Sequence, residues 1–197
     1  MPRRDGPPLI PLELLPPEER ALVQVDAQAH WYRLVGSRAR YLSVLDVGAG
    51  QGAGLAILRD AGCGVRGIDP GPACDEVERG VIEDVADDSV DVACAMDVIE
   101  HIEDDEGFLR GLMRVARVGV FLSTPNFWWE HARCQNPHHV REYTACELGE
   151  LLLRVSAVDH DAWSSDVDLV PRAVPDISYV RGQANFGVWI WHRGRLV

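Results

Sequence analysis

A chain of 197 residues, 47% apolar and 25% charged, has the composition of a globular protein and is long enough to bury one sizeable core. Its 19 basic residues, all arginine, face 31 acidic ones for a formal net charge of −12, a balance that argues against a surface built to grip nucleic acid by its phosphates. No apolar run approaches membrane-span length and the N-terminus lacks a secretory core. The 5 cysteines (63, 74, 94, 134, 146) show no C-x-x-C spacing, so a reduced cytoplasm is the expected setting.

Residues 1–17 are rich in proline and read as an irregular arm, which leaves a single domain over residues 18–197. Pro17 followed by Glu18 and Glu19 makes a good helix start, and the helix is expected to run to about Arg38. A first strand follows over Tyr41 to Val47, then a helix from about Gly52 to Ala61 and a second strand from Val65 to Ile68. Gly80 to Ile82 reads as a third strand and Val90 to Ala95 as a fourth, with Cys94 as a small core residue. Helix is expected across Asp97 to Ile102 and again from about Asp104 to Val115. The fifth strand spans Gly119 to Ser123. A helix over Ala145 to Arg154 starts at Thr144, with Glu147 completing a capping box. Two further strands are expected near Ala157 to Trp163 and Phe186 to His192. Strands alternating with helices imply an α/β fold, a doubly wound and mainly parallel sheet covered on both faces.

The densest signal is Val44 to Gly54, where an apolar run ends in Asp46 and glycines follow at 48, 50, 52 and 54. Glycine lets the backbone turn tightly and approach a ligand where a Cβ would clash, and the following helix points its N–H groups at the turn. Gly48, Gly50 and Ala53 also satisfy the dinucleotide pattern G-x-G-x-x-G/A, with Asp69 about 20 residues on. Asp46 before the first glycine, and the tighter Asp46-x-Gly48-x-Gly50-x-Gly52 spacing, set the stretch apart from that pattern. It resembles motif I of the class I S-adenosylmethionine (SAM) methyltransferases. Later segments strengthen the likeness: Asp97-Val98-Ile99-Glu100-His101-Ile102, Leu122-Ser123-Thr124-Pro125-Asn126, and His139-Val140-Arg141-Glu142-Tyr143-Thr144. The resemblance covers roughly residues 41–155.

The resemblance implies a seven-stranded sheet with a reversed last strand. It implies SAM as cofactor, held by Asp46, Gly48, Ala49, Gly50, Gly52, Asp69, Pro70 and Met96. Asp69 would take the two ribose hydroxyls, since a carboxylate accepts two hydrogen bonds from a vicinal diol. Where the family often has Gly-Asp, this chain has Gly80-Val81-Ile82-Glu83-Asp84, which leaves Ile82 or Glu83 for the adenine. A small-molecule acceptor methylated on a hydroxyl oxygen needs a proton acceptor, and His101, His138 and His139 are the candidates. Asn126, Trp128, Trp129 and Tyr143 are candidates for the acceptor's surroundings. The helix end His30-Trp31-Tyr32-Arg33 either packs on the sheet or covers the cofactor's amino-acid end.

Asp97, Glu100, His101 and a later His139 also resemble the metal-binding Glu-x-x-Glu-His arrangement of ubiquinone-biosynthesis O-methyltransferases and of small-RNA 2′-O-methyltransferases. A divalent metal there would hold the acceptor oxygen and lower its pKa. The same Glu-His pair also occurs in metal-free relatives, where it only starts a helix. Two other classes stand beside the methyltransferase reading: a nicotinamide-dependent oxidoreductase, and a non-catalytic SAM-binding subunit. The sequence leaves the oligomeric state open.

Overall fold

A computed structural model describes residues 27–125, 138–143, 145–158 and 185–191. In chain order these form α1 (Ala27–Arg38), β1 (Ser43–Val47), α2 (Ala53–Asp60), β2 (Gly64–Asp69), β3 (Glu78–Arg79), β4 (Val90–Met96), α3 (Asp105–Val115), β5 (Ala116–Pro125), α4 (Ala145–Val158) and β6 (Asn185–Trp191). The described residues build one sheet in the order β3-β2-β1-β4-β5-β6. Its neighbours are parallel from β3 to β5, and β6 pairs antiparallel with β5. None of the described helices is long and apolar enough to cross a membrane.

Alternation along each strand divides the core in two. Val44, Val92, Cys94 and Phe121 point to a cluster with Trp31 and Val35 of α1 and Leu58 of α2. Leu45, Ala93, Val120 and Leu122 point to the other face, against Leu109 and Leu112 of α3 and Leu148 and Leu151 of α4. With both faces covered, β4 reads as an almost unbroken apolar run, Val-Asp-Val-Ala-Cys-Ala-Met. Leu109 and Leu112 are fully buried, which stabilises the fold by about 1.5–3 kcal/mol each. Asp104 caps α3 by accepting a hydrogen bond from the Gly107 N–H at 2.9 Å.

Three expectations need correction. The third strand is not Gly80 to Ile82 but Glu78–Arg79, and Ile82–Asp84 is a single 3₁₀ turn. Ile82 is drawn into the core, 3% exposed, and Arg114 donates to the carbonyls of Ile82 and Val85 at 2.9 and 2.6 Å, where a strand neighbour would have bonded. Asp97 to Ile102 is not a helix. Asp97 takes a left-handed backbone (φ 55°) because its N–H stays tied to the Ser123 carbonyl at 3.0 Å, and only Ile99–His101 makes a 3₁₀ turn. Helix α4 continues past Arg154 to Val158, so no strand opens at Ala157. The expected cap Thr144 and the remainder of the strand expected up to Trp163 lie outside the described residues.

Candidate active site

The sheet order reverses between β1 and β4: α2, which follows β1, packs on one face, and α3, which follows β4, packs on the other. In open sheets of this kind a ligand crevice forms beyond the carboxyl ends of the strands at that point. The glycine turn lies there. Gly48, Gly50 and Gly52 all have positive φ (79°, 51° and 76°), a region that strains any residue with a Cβ. The N–H groups of Gly48 and Ala49 both donate to the Ile68 carbonyl, which lashes the turn to the end of β2. A side chain at Gly48 would strike Val98 Cγ2 at 2.5 Å, whereas one at Gly50 would meet nothing within 4 Å. The open ground of the turn is therefore at Gly50.

Asp69 ends β2 beside that opening. Its Oδ2 accepts from Gly50 N at 3.0 Å and its Oδ1 from Gly71 N at 2.7 Å. Each carboxylate oxygen has a second lone pair, so two acceptor positions remain for a diol. Pro70 is exposed next to it, its carbonyl accepting from Arg79 Nη1 at 2.6 Å. Asp46 is different. It is fully buried behind the turn, with Tyr32 Oη donating to Oδ2 at 2.9 Å and Cys94 Sγ lying 3.6 Å from Oδ1. Burial pushes its carboxyl up to about 7, against the lowering effect of those two donors.

A second group of polar side chains gathers beyond β4 and β5. Glu100 is fully buried; Thr124 Oγ1 donates to its Oε2 at 3.0 Å, while Oε1 has no hydrogen-bond partner among the described residues. Burial and then the nearby Asp97 push its carboxyl up to about 8. The Glu100 carbonyl accepts from the N–H groups of Val140 and Arg141 at 2.8 and 3.1 Å, which brings the later segment alongside. As a result the rings of His101 and His139 meet edge to face at 4.7 Å. His101 Nδ1 lies 3.2 Å from the His138 carbonyl, which only accepts, so Nδ1 carries the proton and Nε2 is left as acceptor. Burial holds the His101 imidazole below its ordinary pKa. His139 Nδ1 lies 3.2 Å from Glu142 Oε1, an arrangement that orients the ring in the same sense. One ligand atom each from Glu100, His101 and His139 lie within 4.8 Å of one another.

The site differs from its sequence outline in several places. Asp97 is not in the close group of Glu100, His101 and His139, although it lies near enough to act on Glu100 and His101. Its Oδ1 accepts from Ser123 Oγ at 2.9 Å and its Oδ2 from Gln28 Nε2 at 3.3 Å. His138 contributes its backbone carbonyl, and its ring is exposed. Tyr143 is 2% exposed and donates its hydroxyl to Asp105 Oδ2 at 2.9 Å, so it braces α3. Burial pushes that phenol up to about 12. Ile82 and Met96 are both core residues at 3% exposure, while Glu83 beside Ile82 is exposed. Asn126, Trp128 and Trp129 lie outside the described residues. Gln28, Cys94 and Thr124 escape notice as site residues, because nothing in their local sequence announces a partner 24 to 69 positions away, and Tyr32, expected on the helix end that packs or covers the cofactor, reaches Asp46 14 positions on.

A methyltransferase-domain family matches residues 13–155. A "Probable S-adenosylmethionine-dependent methyltransferase" of Mycolicibacterium smegmatis is 32% identical over 158 residues, 68% of this chain and 62% of the relative. The chain thus spans a little under two thirds of that relative's length. Among solved structures, the 1,6-didemethyltoxoflavin-N1-methyltransferase of Burkholderia thailandensis, with bound 1,6-didemethyltoxoflavin and S-adenosylhomocysteine, superposes with a TM-score of 0.61 at 18% identity. The match covers 97% of this chain and 94% of that one. A small RNA methyltransferase also reaches 0.61 at 16% identity, covering 85% of this chain but 25% of its own. At such identities the likeness shows the fold. With the family match spanning most of the sheet and its glycine turn, the chain belongs to the methyltransferase-domain family, and its fold is that of SAM-dependent methyltransferases.

Proposed function

We propose that this chain moves a methyl group from SAM to a small-molecule acceptor, on a hydroxyl oxygen. The observation that carries the cofactor half is the turn at Gly50, open above its Cα and flanked by Asp69 with acceptor positions to spare. The bound cofactor would supply a methyl group activated by its sulfonium. The chain's share is alignment of acceptor, methyl and sulfur, which can account for much of a methyl transfer rate. An acceptor hydroxyl must give up its proton when it is methylated, and Nε2 of His101 or His139 would take that proton as base. The Burkholderia thailandensis neighbour, an N-methyltransferase with a small molecule bound, supports the small-molecule class; oxygen as the target rests on the paired imidazoles. The same reading includes a seven-stranded sheet with a reversed last strand, one domain behind an arm of residues 1–17, and a cytoplasmic setting.

A second reading adds a divalent metal. It is favoured by the unpartnered, buried Glu100 Oε1 beside two imidazoles. Glu100, His101 and His139 would hold the ion, a donor set that suits Mg, Mn or Zn, and the ion would lower the acceptor's pKa. An RNA acceptor belongs to this reading, with the net charge of −12 against it. Calorimetric titration with S-adenosylhomocysteine, with and without a divalent ion and beside NAD, separates the cases. Binding of S-adenosylhomocysteine and not NAD is expected. Preference for NAD sinks the proposal, and heat on adding the ion alone promotes the metal reading.

A further inference from the structure

Tyr32 lies on α1, ahead of the sheet in the chain, yet its hydroxyl reaches the buried acid of the glycine turn. Both Asp46 oxygens are met by side chains, Tyr32 on one and Cys94 on the other. The tyrosine ring lies directly on α2: a Cβ at Gly54 would clash with Tyr32 Cζ. Gly54 is within the helix, where its backbone gains nothing from being glycine and costs about 1 kcal/mol relative to alanine. The ring supplies the missing reason.

We infer that Tyr32 is a positioning residue for the cofactor turn: its hydroxyl holds and aims the buried Asp46 carboxyl, and Gly54 is the notch that admits its ring. The inference deepens, and rests on, the reading of the turn as a SAM site. An ionised Asp46 sets negative charge beneath the turn, where it attracts the ammonium of an amino-acid-bearing ligand. The titratable groups around Asp46 are Tyr32 from α1, Cys94 from β4 and Asp69 from β2, and Asp97 acts in turn on Tyr32. Burial drives the Tyr32 phenol far above its ordinary pKa, so it is a donor throughout the working range. Burial also pushes Asp46 upward, and the Tyr32 hydrogen bond is the larger of the two hydrogen bonds that oppose it.

Tyr32→Phe keeps the ring and removes the hydroxyl. Parent, Tyr32→Phe and Gly54→Ala proteins are titrated with S-adenosylhomocysteine from about pH 6 to about pH 9, and their urea midpoints are followed over the same range. Tyr32→Phe is expected to bind roughly tenfold more weakly at about pH 7, the deficit shrinking toward about pH 9 as Asp46 ionises. Gly54→Ala displaces the ring with its hydroxyl intact and is expected to follow the same pattern. No deficit, or one independent of pH, overturns the inference; a Gly54→Ala profile like the parent's overturns the role of the notch. Stability gives a ligand-free reading. Because the folded Asp46 pKa is raised, its contribution falls as pH rises from about 4 to about 7 and then levels. In Tyr32→Phe the fall continues above about pH 7 relative to the parent. If the parent binds no S-adenosylhomocysteine, the cofactor reading fails, and the stability profiles still decide: parallel profiles overturn the Tyr32 role.

Discussion

The two ends of β1, β4 and β5 are built on opposite principles. At their amino ends Ser43, Asp91 and Arg117 form a saturated network. Ser43 donates its N–H and its hydroxyl to Asp91 Oδ2 at 2.8 and 2.6 Å, and Arg117 Nε and Nη2 donate to Oδ1 at 3.1 and 2.9 Å. Burial works to raise the Asp91 carboxyl, but these donors outweigh it and hold the group below its usual range. At the carboxyl ends, Asp46 and Glu100 are raised instead, and Glu100 keeps one oxygen without a hydrogen-bond partner among the described residues. Such features cost of order 1–3 kcal/mol each and collect where a ligand is to be met. One end of the sheet stabilises the fold, and the other carries the unfavourable arrangements that the proposed chemistry uses.

That division can be broken by substitutions at either end. The largest effect is expected at Asp69. Asp69→Ala removes the acceptors proposed for the ribose and the anchor of Gly50, so S-adenosylhomocysteine affinity should fall on the order of a thousandfold, with the urea midpoint little changed. Unchanged affinity in calorimetry would remove Asp69 from the site. Next is His139→Ala. Turnover should drop on the order of a hundredfold while product affinity stays within about twofold. Equal loss of both would make His139 a structural residue, part of the packing against His101.

The smallest effect is expected at the amino ends. Asp91→Asn should destabilise by about 1 kcal/mol and leave cofactor affinity alone. Its pH dependence has a definite sign. Asp91 is depressed in the folded state, so its contribution is present above the unfolded value of about 3.9 and disappears as pH falls through the folded one. The gap between parent and Asp91→Asn in urea midpoint should therefore close on acidification. A gap that widens instead would show that the network at this end is not what Asp91 serves.

Legibility followed contact distance along the chain. The glycine turn and its strand were readable because backbone conformation is a local property: positive φ at Gly48, Gly50 and Gly52 needs glycine whatever surrounds it. Asp69 was readable because the strand that carries it comes next. Glu100 and His101 were readable as residues but not as a geometry. A helix was the reasonable local reading of their segment, and the Ser123 carbonyl, 26 residues on, holds Asp97 out of it.

By itself, then, the sequence determined the alternation of strand and helix, the parallel sheet and the place of the glycine turn, since periodicity and glycine act over a few residues. Tertiary structure decided the rest. It brought His139 to His101 through two hydrogen bonds on the Glu100 carbonyl, and it buried Glu100 with one oxygen left over. It also set Tyr32 in a notch at Gly54 to hold Asp46. The physical reason is the same in each case: burial and hydrogen-bond partnership are properties of neighbours in space, and these neighbours are strangers in sequence.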